Sequence, residues 1–119
     1  MHGRTQKLFV LAGGVAGAAG VALSAVAAHA GGGNVGTAAS FLLAHAPVFL
    51  AIGLMGRNRV LSAGGAVLLA GLALFCGDLL MRHYAETRLF PMSAPIGGTA
   101  MIAGWLVIAA SALAGRGRT

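Results

Sequence analysis

The feature that most constrains this chain is the absence of charge between Lys7 and Arg57. These 49 residues contain no Asp, Glu, Lys or Arg, and they are long enough to cross a lipid bilayer twice, because one helical span takes about 20 residues. Only 8% of the 119 residues are charged and 58% are hydrophobic, whereas a soluble domain carries about 25% charged residues. The sequence therefore predicts one integral membrane domain over residues 1–119 and excludes a soluble globular enzyme, a disordered tail and a disulfide-stapled secreted module.

Turn-forming residues divide the chain into four apolar spans. Residues 30–36, with the sequence AGGGNVG, lack apolar bulk and favour a turn, and residues 56–59 form a short basic turn. Pro91 and Pro95 mark the start of the last span, because proline fits the first turn of a helix. The predicted fold is an all-α, membrane-embedded four-helix bundle with spans near residues 8–28, 38–55, 60–81 and 93–114.

The basic residues are distributed unequally between the two sides of these spans. Four spans place both termini on one side, where six bases lie, against two on the other side. Cytoplasmic loops carry the excess of Lys and Arg, so the sequence predicts a multi-pass protein of the bacterial inner membrane with both termini in the cytoplasm. The bases on that side are Arg4 and the candidate topology residues Lys7, Arg57, Arg59, Arg116 and Arg118, and those opposite are Arg82 and Arg88.

The formal net charge of +6 indicates an anionic partner. The bases flank apolar segments, where they suit lipid headgroups and topology control. Aromatic residues do not interleave with them as they do on a nucleic-acid surface. We therefore expect membrane lipids, and no nucleic acid, among the partners.

The beginning of the chain allows a competing interpretation. Arg4 and Lys7 precede an apolar run that ends in Ala28-His29-Ala30, which is similar to the small-x-small cleavage site of a secretory signal. Cleavage there would leave three spans. The run is about 20 residues long, longer than the core of a secretory signal, and it fits the charge distribution of the other spans, so we favour a first membrane span.

Small residues recur at helical spacing within the spans. Gly13 and Gly17 are four residues apart, and such stripes let transmembrane helices approach closely where lipid removes the hydrophobic driving force. The pattern predicts a tight bundle without a broad pore, and it suits equally well a homo-oligomer or a subunit of a larger membrane complex. Trp105, well inside the fourth span, is interpreted as a further packing residue. The candidate helix-packing residues are Gly13, Gly17, Gly20, Gly77, Gly97, Gly98 and Gly104.

Several polar side chains fall in the half of the spans that lies away from the termini. Asp78 is the only acid within a span, and an ionised carboxylate in hydrocarbon must pair, become protonated or face water. Arg82 follows on the same helical face and indicates an ion pair. With His29, His45 and the start of the fourth span at residues 93–99, Asp78 forms a candidate polar cluster, either a hydrogen-bond network that sets packing or a proton or metal site. Because the sequence lacks spacings such as HxxxH or CxxC, we predict no metal and no cofactor.

Several short segments together resemble one family. They are AVAAHA at residues 25–30, TAASFLLAHA at 37–46, FCGDL at 75–79, PIGG at 95–98 and AGW at 103–105. In this order they are similar to the small four-span proteins of the domain of unknown function 423, whose eukaryotic relatives are of the transmembrane protein 256 type. The resemblance implies four transmembrane helices in the inner membrane, and it implies no defined activity.

The sequence leaves two functional hypotheses. One is a non-enzymatic packing or accessory protein that acts through its helix surfaces on itself, on lipid or on a larger membrane complex, as the abundant small residues and short loops suggest. The other is a small transporter, or an ion-, metal- or proton-binding protein, that uses His29, His45 and Asp78. Because the sequence contains no nucleophile elbow, phosphate loop or paired carboxylates, we predict that it is not an enzyme and name no catalytic residue.

Overall fold

The computed structural model describes residues 3–55 and 58–114. These residues form four α-helices and no strand, and each helix is long and apolar enough to cross a membrane. The shortest has 22 residues, which at 1.5 Å per residue spans about 33 Å, slightly more than the hydrocarbon core of about 30 Å. The predicted all-α, four-helix membrane fold is thus confirmed. The helices are α1 (Arg4–Ala30), α2 (Gly33–Met55), α3 (Arg59–Ala85) and α4 (Ser93–Ala114).

The turn between α1 and α2 is shorter than the break expected at residues 30–36. Gly31 and Gly32 alone connect the helices, and α2 begins at Gly33. Gly31 has a φ of 91°, a left-handed value that glycine adopts without steric cost and that ends α1. The residues after it continue as the first turn of α2, where Val35 is fully buried. Burial of the Val35 side chain stabilises this first turn, although the segment is rich in glycine.

Caps fix both ends of α3. The Asn58 carboxamide oxygen accepts hydrogen bonds from two backbone N–H groups of the first turn at 2.9 and 3.1 Å, and its nitrogen donates to the Ser111 carbonyl of α4 at 3.1 Å. At the other end the helix runs to Ala85, past the expected end at residue 81. Glu86 ends it in a left-handed conformation, and its N–H donates to the Arg82 carbonyl at 3.1 Å. These bonds satisfy backbone groups that a helix end leaves unpaired.

The four helices pack as two hairpins. α1 packs along α2 and α3 packs along α4, and the hairpins meet mainly through α2 and α3. Phe49 of α2 and Leu68 and Leu72 of α3 are among the most deeply buried side chains. Phe9 of α1 stacks on Phe49 with ring centroids 6.4 Å apart. α2 and α3 are therefore the central helices of the bundle, and α1 and α4 are the outer ones.

α3 and α4 touch through their backbones at glycine. A Cβ atom added to Gly97 would lie 2.7 Å from the Phe75 nitrogen and 2.9 Å from the Gly71 oxygen. One added to Gly104 would lie 2.7 Å from the Leu68 nitrogen. A carbon atom cannot be accommodated this close to a rigid backbone, so any side chain at either glycine would push the helices apart.

Glycines also permit the close approach of α1 and α2. A Cβ atom at Gly13 would lie 2.9 Å from the Ala46 carbonyl oxygen, and one at Gly20 would lie 2.7 Å from the Leu43 side chain. Gly17 has more room, because its nearest neighbour would be the Ala46 Cβ at 3.7 Å. Two of these three glycines therefore lie where the helices leave no space for a side chain.

The remaining candidate packing glycines have different surroundings. A Cβ at Gly77 would make an ordinary contact, 3.4 Å from the Leu89 side chain of the α3–α4 loop, and one at Gly98 would meet no atom within 4 Å. Gly98 therefore departs from the expected packing role, because one residue rotates it by about 100° from Gly97 around the helix axis. Four glycines that the sequence pattern did not single out approach other helices closely, namely Gly53, Gly64, Gly65 and Gly71.

The adjacent pair Gly97 and Gly98 gives a matched test of this packing. Gly97→Ala is expected to lower the free energy of unfolding by about 1–3 kcal/mol, because its methyl group would overlap the α3 backbone. Gly98→Ala is expected to leave that free energy unchanged or to raise it by about 0.5–1 kcal/mol, because alanine is the better helix former. Unfolding in SDS, followed by the fluorescence of Trp105, the sole tryptophan, measures both. Equal stabilities of the two variants would contradict the close α3–α4 contact.

Candidate functional site

Asp78 anchors the loop between α3 and α4 through hydrogen bonds. Its side chain is fully buried, about two turns before the end of α3. One carboxylate oxygen, Oδ1, accepts hydrogen bonds from the Ser93 hydroxyl at 2.5 Å and from the Leu89 N–H at 3.0 Å. Leu89 lies in the loop and Ser93 is the first residue of α4, so one side chain holds both the loop and the start of the next helix.

The second carboxylate oxygen of Asp78 faces Arg82. The Arg82 Nε lies 3.1 Å from Oδ2, and the Arg82 side chain is 31% exposed. The predicted ion pair at i and i+4 is therefore confirmed. The guanidinium neutralises a carboxylate that would be costly to bury alone, while its partial exposure and its place near the helix end let it reach toward the headgroup layer.

His45 joins α2 to α4. Its Nδ1 lies 2.8 Å from the Phe41 carbonyl oxygen one turn earlier, and the Trp105 indole N–H donates to its Nε2 at 3.2 Å. Because the Phe41 carbonyl oxygen can only accept and the Trp105 indole can only donate, the two contacts fit the tautomer in which Nδ1 carries the proton and Nε2 accepts. Both ring nitrogens are thus occupied, and Trp105 is a hydrogen-bond partner as well as a packing residue.

Aromatic rings extend this contact toward α3. Phe41 stacks beside His45 with ring centroids 6.0 Å apart, and it meets Phe75 of α3 at 4.8 Å. The rings of His45 and Trp105 are tilted, with centroids 5.6 Å apart. The His45 ring therefore packs between Phe41 and Trp105, and Phe41 extends the aromatic group to α3.

The structure does not bring His29, His45 and Asp78 together. His29 is exposed near the end of α1, and its Nδ1 lies 2.8 Å from the Ala25 carbonyl oxygen of its own helix. His45 and Asp78 take the separate partners described above. Within residues 3–55 and 58–114 there is no group of three His, Cys, Asp or Glu residues placed to hold a metal ion. The members of the candidate cluster therefore occupy three separate positions: His29 is exposed on α1, His45 contacts α4, and Asp78 bonds to the start of α4. The part of the predicted cluster that forms is the one that joins Asp78 to residue 93.

A groove of about 710 Å³ opens between α2 and α4 above α3. Its walls include the rings of Phe41, His45, Phe75 and Trp105. Arg82 also lines it, at the end nearest the α3–α4 loop, which we call the mouth of the groove. Gly98 and Thr99 of α4 face it as well. The groove is mostly apolar, with polar groups at its two ends: the Arg82 guanidinium at one and the His45–Trp105 pair at the other.

The comparison with protein families gives a clear assignment. A family model described as "Protein of unknown function (DUF423)" matches residues 16–98. The chain belongs to the DUF423 family. The match spans more than two thirds of the 119 residues and includes the segments that carry His29, His45 and Asp78, so the family resemblance of the sequence motifs is confirmed. No solved structure matches this DUF423 protein.

The candidate topology residues of the DUF423 protein are described only in part. Lys7 and Arg59 are exposed near the starts of α1 and α3. Arg57, Arg116 and Arg118 lie outside the described residues. The two described bases are at the same end of the bundle, because α1 and α3 run in the same direction through two hairpins.

The two acidic residues of the DUF423 protein provide a matched comparison of burial. Asp78→Asn is expected to lower the free energy of unfolding by about 2 kcal/mol, since it weakens charge-assisted hydrogen bonds and leaves Arg82 without its partner. Glu86→Gln removes an exposed charge and is expected to change it by less than about 0.5 kcal/mol. Unfolding in SDS followed by Trp105 fluorescence gives both values. An Asp78→Asn variant as stable as Glu86→Gln would contradict a stabilising role for the bonds of Asp78.

Proposed function

We propose that this protein is a non-enzymatic accessory protein of the bacterial inner membrane that acts through the lipid-facing surfaces of its helices. The observation that supports this most strongly is that each buried polar residue has at least one partner within the fold. Asp78, Ser93 and His45 each bond to partners within the fold. The Gln6 amide donates to the Gly53 carbonyl at 3.2 Å, and the Ser111 hydroxyl donates to a carbonyl of its own helix. These groups serve packing, which leaves the lateral surface for function.

The short connections within the two hairpins also support the proposal. Two glycines connect α1 to α2, and residues 86–92 connect α3 to α4. Connections this short offer little material for a catalytic site in water. By contrast, large apolar side chains such as Leu11 on α1 and Leu106 on α4 are more than 60% exposed, which suits contact with lipid or with another transmembrane helix.

The distribution of bases supports a cytoplasmic position for both termini. The sequence predicts six basic residues on the side of the termini and two on the side of the α1–α2 and α3–α4 turns. Cytoplasmic loops of inner-membrane proteins are enriched in Lys and Arg in this way. In this orientation the Asp78 carboxylate and the mouth of the groove lie in the outer leaflet.

Native mass spectrometry after extraction into polymer-bounded nanodiscs tests this function. Because the proposed activity is contact, the 11.7 kDa chain is expected to leave the nanodisc with a fixed number of retained lipids or with a second membrane protein in constant ratio. The lipid composition of the whole membrane serves as the reference. Release of the bare chain, with surrounding lipids in the same proportions as the whole membrane, would contradict the proposal.

A further inference from the structure

The groove between α2 and α4 has the dimensions of one membrane leaflet. Arg82 lies three residues before the end of α3, and Trp105 lies twelve residues into α4. At 1.5 Å per residue, these positions are about 5 and 18 Å from the outer ends of their helices. The groove therefore runs from headgroup level to near the middle of a hydrocarbon core of about 30 Å.

The charge at the mouth matches a phosphate. Arg82 uses its Nε toward Asp78, and a guanidinium has four further N–H donors on its terminal nitrogens. Planar donor pairs of this kind bind phosphate oxygens well. The ion pair with Asp78 holds the guanidinium in place, so that a phosphate would meet a preoriented donor group.

Gly98 leaves space in the α4 wall of the groove. A Cβ atom at Gly98 would have no neighbour within 4 Å, and the same residue lines the groove beside Thr99 and Ile102. The opposite face is formed by Phe41 and Phe75. The lining between Arg82 and His45 is mostly apolar, with Thr99 as its polar side chain. A mostly apolar groove with a guanidinium at headgroup level matches a phospholipid, which has a charged head followed by a hydrocarbon chain.

We propose that the groove holds one acyl chain of a phospholipid, with the lipid phosphate on Arg82 and the chain extending past Gly98 to the His45–Trp105 pair. This inference rests on the proposed function, and it deepens it by naming the ligand class and the surface that binds it. Arg82 selects the phosphate, and Gly98 provides the space for the chain.

Trp105, the sole tryptophan, lies in the wall of the groove and reports on its occupant. We would titrate the detergent-solubilised protein with phosphatidylglycerol carrying brominated acyl chains, which quench tryptophan fluorescence on contact. A diacylglycerol with the same brominated chains serves as the probe without phosphate. The wild type is expected to show saturable quenching at one phospholipid per chain and about tenfold weaker binding of the diacylglycerol, since it lacks charge-assisted bonds to Arg82.

Substitutions separate the contribution of the phosphate contact at Arg82 from that of the space for the acyl chain at Gly98. Gly98→Leu is expected to weaken binding of both lipids at least about tenfold by filling the groove. Gly14→Leu is the matched control, because Gly14 on α1 also has no atom within 4 Å of an added Cβ, and it is expected to bind as the wild type does. The double variant Asp78→Asn/Arg82→Gln removes both charges together and so leaves no buried charge unpaired. It is expected to bind the phospholipid only as weakly as the diacylglycerol.

Several results would overturn the inference. One is equal affinity of the wild type for the phospholipid and the diacylglycerol, and another is wild-type phospholipid affinity in Gly98→Leu. A third is a wild-type dimer that Gly98→Leu dissociates, since the groove would then be an interface between two copies. If native nanodiscs retain a lipid or a partner but Gly98→Leu and the double variant bind phospholipid normally, this inference alone fails. A bare wild-type chain in those nanodiscs would instead refute the proposed function.

Discussion

The structure depends on the lack of water in the hydrocarbon core. Lipid is as apolar as the side chains, so helices gain little from burying apolar area against one another and associate through close packing and interhelical hydrogen bonds. Gly97 meets Gly71 and Phe75 at backbone distance, which holds α4 against α3. The groove lies beside this contact and is lined by residues of α2, α3 and α4.

Hydrocarbon also explains the arrangement of polar side chains. A polar group without a partner is expensive there, and Asp78 takes the Ser93 hydroxyl, the Leu89 N–H and the Arg82 guanidinium. These bonds set where α4 begins relative to α3 and hold Arg82 at the mouth of the groove. His45 performs a similar task at mid-depth by tying α2 to Trp105 of α4.

The features that follow from local sequence were predictable. The charge-free segment between Lys7 and Arg57 implies membrane helices by length alone, and Asp78 and Arg82 meet because four residues make about one helical turn. Sequence gives the depth of a residue in the membrane but not the direction it faces around the bundle. For that reason the sequence predicts the same packing role for Gly98 as for Gly97, although Gly98 faces the groove.

Long-range pairing was the part that sequence could not supply. His45 and Trp105 are 60 residues apart, and nothing in their spacing identifies them as partners. An imidazole and an indole within the membrane each require a hydrogen-bond partner, so the sequence indicates that each has one but does not identify it. The same lack of directional information leads to a predicted cluster of His29, His45 and Asp78, whereas the structure gives each of them separate partners.

The central claim is that lipid surrounds four spans, with the α1–α2 and α3–α4 turns on one side of the membrane and the termini on the other. Labelling with an impermeant maleimide tests it most directly, in a Cys76→Ala background that removes the single native cysteine. Gly32→Cys in the α1–α2 turn and Thr87→Cys in the α3–α4 loop are expected to react in intact cells, and Thr5→Cys only after permeabilisation. Reaction of Gly32→Cys and Thr87→Cys from opposite sides, or of Thr5→Cys and Gly32→Cys from the same side, would contradict the account.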